Sequence, residues 1–345
     1  MTMAANVAQS VGLCSNSDAG LEVVSREERM SVAKVAEERI SAARASDVTL
    51  TYWPATALAY GRNKVKAYVA LTKPRIMILL LFTALCAMDV AQGRWPGLGV
   101  SLYTVVGLGL ASGAGAAINM WYDRDIDAVM NRTKGRPLPA GEVSPLGTFI
   151  FGIALEVGSM AVLAARVNVL TAALSLVGFL YYVVIYTMWL KRRTPQNIVI
   201  GGGAGAFPPL IGWTAVTGHV SLGAVWLFLI VLWWTPPHFW SLALYKNDDY
   251  VRARVPMMPV VRGARSTKRQ SVAYTLLLLA TSLTLPLFAH VSIVYEIVVA
   301  LVGAVFFFYT VKMWRESDQE FVWTKRTFFA SLAYLPLVFL ALVIH

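Results

Sequence analysis

Long apolar runs alternate with short polar segments from residue 65 to the end of the chain. Each run has roughly 20 residues, the length that an α-helix needs to cross the hydrocarbon core of a bilayer. A backbone in that environment cannot bond to water, so the runs are expected to be helical. The pattern predicts about nine transmembrane helices, at residues 75–92, 98–119, 146–164, 169–189, 196–217, 221–245, 270–290, 292–313 and 325–344.

The composition supports a membrane protein. Of the 345 residues, 57% are hydrophobic and only 14% are charged, and the mean hydropathy is +0.59. A soluble domain of this size needs more charge at its surface, so the predicted fold class is an all-α, polytopic membrane bundle. The net charge of +11 is typical of nucleic-acid-binding proteins. However, the lysines and arginines lie between the apolar runs, so no nucleic-acid partner is expected.

The first 62 residues differ from the rest of the chain. Residues 25–46 mix acidic and basic side chains with alanine. The first apolar run is too weak for a secretory signal, and glutamates such as Glu27 and Glu28 are unfavourable in a transit peptide. We therefore expect residues 1–62 to be a polar, flexible cytoplasmic extension and residues 63–345 to be the membrane domain.

The basic residues fall on alternate connecting segments. One set of segments has few basic residues, chiefly Arg94, Arg166 and His219. The other set is rich in lysine and arginine, at residues 132–136, 191–193, 252–269 and 312–326. The positive-inside rule places this second set in the cytoplasm. The N-terminus is therefore predicted to be cytoplasmic, and an odd number of spans places the C-terminus outside.

The end of the second apolar run is the strongest candidate for a catalytic site. Asn119, Asp123 and Asp127 are spaced by four residues, so on a helix they line one face. Carboxylate and carboxamide oxygens suit Mg²⁺, which keeps other positions for water and phosphate oxygens. Basic residues that could neutralise such a phosphate group follow: Arg132, Lys134, Arg136, Lys191 and Arg192. The alternative is the charged cap of a membrane helix, with the carboxylates paired to these basic residues.

A second polar segment, residues 245–259, follows the sixth apolar run and contains Asp249. Four membrane crossings separate it from the first cluster, so both are predicted to lie on the same, cytoplasmic, face. This indicates two repeated halves with one polar loop each. The loops could face each other across a central cavity and share one metal–phosphate ligand. Two ordinary cytoplasmic loops are the alternative.

His238 lies inside the sixth apolar run, between Pro237 and Trp240. An ionisable group at membrane depth is costly and tends to mark a functional position. Pro236 and Pro237 are predicted to break the helix before it, which a membrane tolerates only beside protein or a wet cavity. His238 is a candidate metal ligand, a candidate general base or a hydrogen-bonded packing group. The glycines at 201–205 are expected to let helices approach closely rather than to bind phosphate.

Together these motifs resemble the UbiA superfamily of intramembrane prenyltransferases. The NxxxDxxxD pattern at 119–127 indicates the superfamily, and the remaining motifs are more similar to its heme-farnesylating branch. The resemblance covers the chain from residue 65 onward. The matching segments are LTKPRI (71–76), NMWYDRDIDAVMNRTKGRPLPAG (119–141), LKRRTPQNIVIGG (190–202), FPPLIGW (207–213), WTPPHFW (234–240) and DYVRARVPMMPVV (249–261).

The resemblance implies a helical bundle around a central cavity in a bacterial cytoplasmic membrane. It also implies transfer of a farnesyl group from farnesyl diphosphate to a vinyl group of heme b, with addition of water, giving heme O for terminal oxidases. A downstream heme-modifying enzyme or the oxidase assembly machinery are candidate partners. Mg²⁺ is the implied cofactor, whereas heme b is a substrate. The metal ligands are then Asn119, Asp123, Asp127 and Asp249.

Members of the superfamily usually have a second motif, DxxxD. It is incomplete here, because Asp248 and Asp249 are followed four residues later by Arg252 and Ala253. A symmetric site with two metal ions is therefore in doubt. His238 lies about 16 Å from Asp249 along an unbroken helix. That distance suits an apolar acceptor held deeper than the diphosphate.

His238 and Trp240 are therefore assigned to the acceptor side. Aromatic rings that could stabilise a farnesyl cation are Tyr122, Tyr182, Tyr186 and Trp240. Two other functions stay open. One is a UbiA-type prenyltransferase that acts on an aromatic quinone precursor. The other is a transporter of an anionic lipid or phosphate, built from two repeats.

Overall fold

The structure is a computed structural model that describes residues 57–344, with side chains from residue 63 onward. The described residues form helices and connecting segments, which confirms the all-α prediction. The predicted extension at 1–62 lies largely outside the described residues. The first described helix begins at Ala57, within its predicted bounds.

Nine helices in the described part of the chain are long and apolar enough to cross a membrane, as predicted. Shorter helices connect them. In chain order the helices are α1 (Ala57–Leu71), α2 (Pro74–Gln92), α3 (Leu98–Tyr122), α4 (Arg124–Val129), α5 (Pro145–Arg166), α6 (Val169–Leu180, continued by a π-helical segment, Tyr181–Leu190), α7 (Asn197–Gly201), α8 (Gly203–Thr217), α9 (Leu222–Tyr245), α10 (Asn247–Arg252), α11 (Met258–Thr284), α12 (Ile293–Arg315) and α13 (Val322–Leu342).

The seventh span is longer than the sequence predicted. It begins at Met258 instead of residue 270, and a short 3₁₀ turn continues it to Leu287. Its first turns contain exposed arginines, including Arg262 and Arg265. Because these charged residues interrupt the apolar run, the hydrophobic pattern did not predict this part of the helix. Gly263 interrupts the helix with a φ of 76°, a left-handed conformation that suits glycine.

The sixth span also differs from its prediction. Pro236 and Pro237 do not break α9, which continues from Leu222 to Tyr245. A proline has no N–H to donate, so two carbonyl groups of the preceding turn lose their helical partners. The hydroxyl of Thr235 donates to the carbonyl of Val231 in the same region (2.9 Å).

Glycines bring the membrane helices into close contact. In the described chain α3 packs on α5, α2 packs on α8, and α9 packs on α8 and α11. A methyl group at Gly212 would overlap the backbone of Ala84, and one at Gly201 would overlap the ring of Tyr186. These two contacts agree with the predicted role of the small residues. Gly205 is different, because no atom lies within 4 Å of the position of a methyl group there.

The π-helical end of α6 shapes the region beside the polar motif. Its backbone hydrogen bonds join residues five positions apart, as in the bond from Lys191 N–H to the carbonyl of Tyr186 (2.9 Å). The hydroxyl of Thr187 donates to the carbonyl of Tyr182 (2.9 Å) and lies 3.2 Å from the amide nitrogen of Asn119. Local widening of this helix therefore places both tyrosines and Thr187 near the end of α3.

Candidate active site

Asn119, Asp123 and Asp127 follow one another along the end of α3 and the start of α4. The N–H of Asp123 donates to the carbonyl of Asn119 (2.9 Å), and that of Asp127 donates to the carbonyl of Asp123 (2.8 Å). All three residues are buried. The carboxamide nitrogen of Asn119 donates to Oδ2 of Asp123 (2.7 Å). The helical stack predicted from the spacing is therefore present.

Basic side chains surround these carboxylates. Lys191 pairs with Oδ2 of Asp123. Arg136 Nη1 lies 2.6 Å from Oδ2 of Asp127. Arg192 donates to both oxygens of Asp125 (2.7 and 2.8 Å) and also lies 3.6 Å from Oδ1 of Asp123.

The structure thus brings three of the five predicted basic residues to the acidic motif: Arg136, Lys191 and Arg192. The bond from Arg192 lowers the pKa of Asp125 below its ordinary value. Lys134 is exposed.

Lys73 is a site residue that sequence analysis did not single out. Its ammonium group donates to Oδ1 of Asn119 (2.8 Å) from the short connection between α1 and α2. Desolvation, followed by the positive charges of Arg136 and Lys191, lowers the pKa of Lys73 to about 7. The available signal was a lysine placed directly before Pro74, the first residue of a membrane helix. Lys73 adopts a left-handed backbone, with a φ of 51°.

The two polar loops meet through Arg132 and Tyr250. Nη2 of Arg132 donates to the hydroxyl of Tyr250 (2.9 Å), and its guanidinium lies 5.1 Å from the ring centroid. Both loops therefore lie on the same face of the bundle, as predicted. Asp249 instead pairs with Arg252. Within residues 63–344, no group of three or more Asp, Glu, His or Cys side chains is arranged to hold a metal. The role of Asp249 as a metal ligand stays a prediction.

The donors at the end of α3 nevertheless fit a hard divalent cation. Oδ1 of Asp123 is buried and has no hydrogen-bond partner among the described residues, and its nearest positive charge is the guanidinium of Arg192 at 3.6 Å, beyond hydrogen-bond distance. A buried carboxylate oxygen of this kind is costly unless an ion or a donor satisfies it. Together with the oxygen donors of Asn119 and Asp127, it matches the ligand types that Mg²⁺ prefers.

A cavity of about 480 Å³ extends from this polar cluster into the bundle. Lys73, Tyr182 and Tyr186 line it near the acidic motif, and the two tyrosine rings stack with centroids 5.7 Å apart. Phe207 and His238 line it within the membrane helices. His238 is seven residues before the end of α9, or about 10 Å along the helix axis. Lys73, which contacts Asn119, and His238 therefore line the same cavity.

His238 is held between aromatic rings at the wall of this cavity. Its ring stacks on Trp234 with centroids 4.3 Å apart and on Phe328 with centroids 5.1 Å apart. Its Nδ1 lies 2.8 Å from the hydroxyl oxygen of Ser331. The sequence left packing and chemistry open for this residue, and the structure gives it both a hydrogen bond and a place in the cavity.

Trp240 lies elsewhere. It is fully buried in a cluster with Tyr250, and its ring meets Tyr274 edge-on at 5.6 Å. Among the described residues that line the cavity, the tryptophan is Trp234. Trp240 therefore does not line this cavity, whereas Trp234, six residues earlier on α9, does. Tyr122 also lies apart from the stacked tyrosines, under the guanidinium of Arg192 (4.9 Å).

Comparison with known proteins agrees with this arrangement. The model of the UbiA prenyltransferase family matches residues 80–333. The chain belongs to the UbiA prenyltransferase family. Among curated UbiA relatives, the protoheme IX farnesyltransferase of Symbiobacterium thermophilum is 52% identical over 280 residues, which cover 81% of this chain and 94% of the relative. That of Bartonella tribocorum is 45% identical over 290 residues, which cover 82% and 92%.

Solved structures of UbiA proteins share the fold. A digeranylgeranylglyceryl phosphate synthase matches with a TM-score of 0.68 at 18% identity, over 81% of this chain and 98% of its own. A UbiA homolog from Archaeoglobus fulgidus bound to DMAPP and Mg²⁺ matches with a TM-score of 0.57 at 17% identity, over 81% and 99%. The predicted UbiA-type bundle of membrane helices is confirmed.

Proposed function

We propose that this protein transfers the farnesyl group of farnesyl diphosphate to a vinyl group of heme b, with addition of water, and so forms heme O for terminal oxidases. The observation that carries the proposal is the cavity that both Lys73 and His238 line. It offers a charged diphosphate and an apolar acceptor one shared space. The names of the relatives support this choice of donor and acceptor.

In this reaction the bond between C1 of the farnesyl group and the diphosphate oxygen breaks, and the electron pair leaves with the diphosphate. The terminal vinyl carbon forms a bond to C1, which leaves positive charge on the vinyl carbon next to the porphyrin. The oxygen of a water molecule bonds to that carbon and loses a proton. Heme b, farnesyl diphosphate and water thus give heme O, diphosphate and a proton.

The polar cluster is the proposed diphosphate site. Lys73, Arg136 and Lys191 are proposed to neutralise the diphosphate, together with Arg192, Arg132 and Lys134 from the same polar loops. Asn119, Asp123 and Asp127 are proposed to hold Mg²⁺, with Asp249 opposite. When bound, Mg²⁺ supplies positive charge that stabilises the leaving diphosphate.

The aromatic walls of the cavity suit the farnesyl cation and the heme. The stacked rings of Tyr182 and Tyr186 face the space beside the diphosphate site. An aromatic face stabilises a nearby cation by roughly 0.5–2 kcal/mol, which favours the charge that develops on the farnesyl group. His238 and Trp234 are proposed to contact the heme deeper in the bundle.

The surroundings of the site follow from the sequence. We place the protein in the bacterial cytoplasmic membrane, with the N-terminus and both polar loops in the cytoplasm and the C-terminus outside. A downstream heme-modifying enzyme or the oxidase assembly machinery would receive the product. Residues 1–62 are proposed to be a cytoplasmic extension that the chemistry does not need.

The decisive experiment uses the purified full chain in liposomes with heme b, farnesyl diphosphate and Mg²⁺, and identifies the porphyrin products by mass. A hydroxyethylfarnesyl heme is expected, and EDTA should abolish it. Asp123→Asn should lower the rate by about 100-fold or more, as for loss of one preorganised electrostatic contact. Asp318→Asn is the matched control, because Asp318 also pairs with a lysine, Lys268, but outside the cavity.

Other outcomes would point to other functions. Unmodified heme together with prenylation of an aromatic acid would keep the prenyltransferase and reject the heme acceptor. Folded protein without any product, but with movement of an anionic lipid or phosphate across the liposome membrane, would favour transport.

A further inference from the structure

His238 reaches the cavity with only part of its ring. The rings of Trp234 and Phe328 both stack on the imidazole, at interplanar angles of 14° and 24°. Nδ1 is engaged by Ser331 from α13. Contact with a molecule in the cavity therefore has to occur at the ring edge that contains Nε2.

The hydrogen bonds of Ser331 determine which nitrogen of His238 is protonated. The Ser331 hydroxyl oxygen lies 2.6 Å from the carbonyl oxygen of Phe328 and 2.8 Å from Nδ1 of His238. Two oxygens at 2.6 Å need a hydrogen between them, and only the hydroxyl can supply it, since a carbonyl has none. The single hydroxyl hydrogen is then used, so Ser331 must accept its second bond from Nδ1–H.

We infer that Ser331 is a positioning residue that fixes His238 in the Nδ1–H form, so that Nε2 presents its lone pair to the cavity as an axial ligand for the iron of the acceptor heme. This inference rests on the proposed function, because it names heme as the acceptor. A neutral imidazole is the commonest protein ligand of metals, and the bond made by one ring nitrogen selects the other for the metal. Histidine ligands nearly always donate their second N–H to an oxygen in this way.

Other contacts make Ser331 suited to this task. It is fully buried. Its carbonyl oxygen accepts a bond from Nε1 of Trp234 (2.8 Å), the ring on which His238 stacks. Ser331 of α13 therefore bonds both His238 and Trp234, the ring that stacks on the imidazole. The consequence is an iron placed at the edge of the imidazole, which holds the porphyrin at a defined position in the cavity.

The test measures heme binding independently of turnover. Ferric heme b is titrated into the purified protein, and absorption and electron paramagnetic resonance spectra report ligation by imidazole. Ser331→Ala should weaken heme binding on the order of 10-fold and reduce the imidazole-ligated fraction. Ser331→Thr, which keeps the hydroxyl, should retain both. His238→Gly should lose the imidazole signature, and added imidazole should restore it.

The controls separate a positioning role from a structural one. Ser159→Ala removes another buried membrane serine that donates to a backbone carbonyl, that of Gly107 (2.8 Å), and should bind heme like the wild type. Ser331→Cys keeps the shape of the side chain but offers only a weak acceptor, so it should also weaken heme binding. It replaces Ser331→Ala in the test if the alanine variant does not fold. Thermal unfolding of each variant shows whether the fold is retained.

Two results would overturn the inference. One is a folded Ser331→Ala or Ser331→Cys protein with the affinity and spectrum of the wild type. The other is an imidazole signature that survives in His238→Gly. If the wild type forms hydroxyethylfarnesyl heme in either case, only the inference fails. If the wild type neither binds nor converts heme, the proposed function fails first.

Discussion

Lys73 donates a hydrogen bond to Asn119 across 46 positions of sequence, at 2.8 Å. The contact joins the entrance of the first membrane helix to the acidic motif at the end of the second. Because Lys73 also lines the cavity, it is the basic side chain that links the acidic motif to the space for substrates. The lysine therefore belongs to the site, although it lies outside the acidic motif.

Replacement of Lys73 by methionine should weaken the use of farnesyl diphosphate. A hydrogen bond to a charged group contributes about 1.5–3 kcal/mol, so kcat/KM for farnesyl diphosphate should fall about 10- to 150-fold. Steady-state rates at varied farnesyl diphosphate measure the effect. Lys66→Met is the control, since Lys66 is an exposed lysine on α1. An unchanged kcat/KM in Lys73→Met would remove Lys73 from the diphosphate site.

Arg132 and Tyr250 should act together, because they join the two polar loops. Single changes to Arg132→Ala and Tyr250→Phe, and the double change, form a thermodynamic cycle. Coupling of about 0.5–2 kcal/mol in kcat/KM is expected from the hydrogen bond and the cation–π contact. The pair Arg124 and Trp121, also a cation–π contact at 5.7 Å, provides a comparison between residues three positions apart, at the junction of α3 and α4. Strict additivity for Arg132 and Tyr250 would mean that the loops work independently.

The sequence predicted the membrane helices well because burial in lipid demands apolar residues along the whole span. It missed the start of α11, where arginines at the membrane edge interrupt that pattern. The π-helical end of α6 was also beyond prediction, since its wider hydrogen bonding does not change the hydropathy. The sequence therefore offered Tyr182 and Tyr186 as candidates without showing that they stack.

Within the site, contacts between residues close in sequence could be predicted from their spacing, whereas contacts between different helices could not. The four-residue spacing of Asn119 and Asp123 was enough to predict that they stack on one face, because helical backbone bonding continues from Asn119 to Asp123 at the end of α3. The partners of these residues come from other helices, as Lys73 and Lys191 illustrate. The surroundings of Trp240 could not be predicted for the same reason, since its position on α9 does not tell which neighbouring helix it faces.

His238→Ala should impair heme use more than farnesyl diphosphate binding. The histidine lines the part of the cavity within the membrane helices, whereas the residues proposed to bind the diphosphate lie around Asn119. KM for heme should rise at least about 10-fold, as for loss of a well-oriented metal-ligand contact, while the dissociation constant of farnesyl diphosphate stays near the wild-type value. Equal losses for both substrates would contradict the assignment of His238 to the acceptor side.

Two glycines of α8 should respond oppositely to added bulk. A methyl group at Gly212 would overlap the backbone of Ala84, so Gly212→Ala should prevent close packing of α2 and α8 and lower the thermal stability. Gly205 lines the cavity and has open space beside it, so Gly205→Phe should fold but shorten the space for the prenyl chain. Thermal unfolding of both variants measures the first effect.

The second effect appears in the choice of donor. Gly205→Phe should lower kcat/KM for farnesyl diphosphate relative to geranyl diphosphate. A single hydrophobic group that does not fit a pocket changes the preference between two substrates by roughly 10- to 200-fold. Gly205→Ala adds only a methyl group and is the matched control, with a ratio close to that of the wild type. A Gly205→Phe enzyme with an unchanged ratio would show that the prenyl chain runs elsewhere in the cavity, away from α8. The donor ratio therefore tests where the chain lies without relying on any change in the diphosphate site.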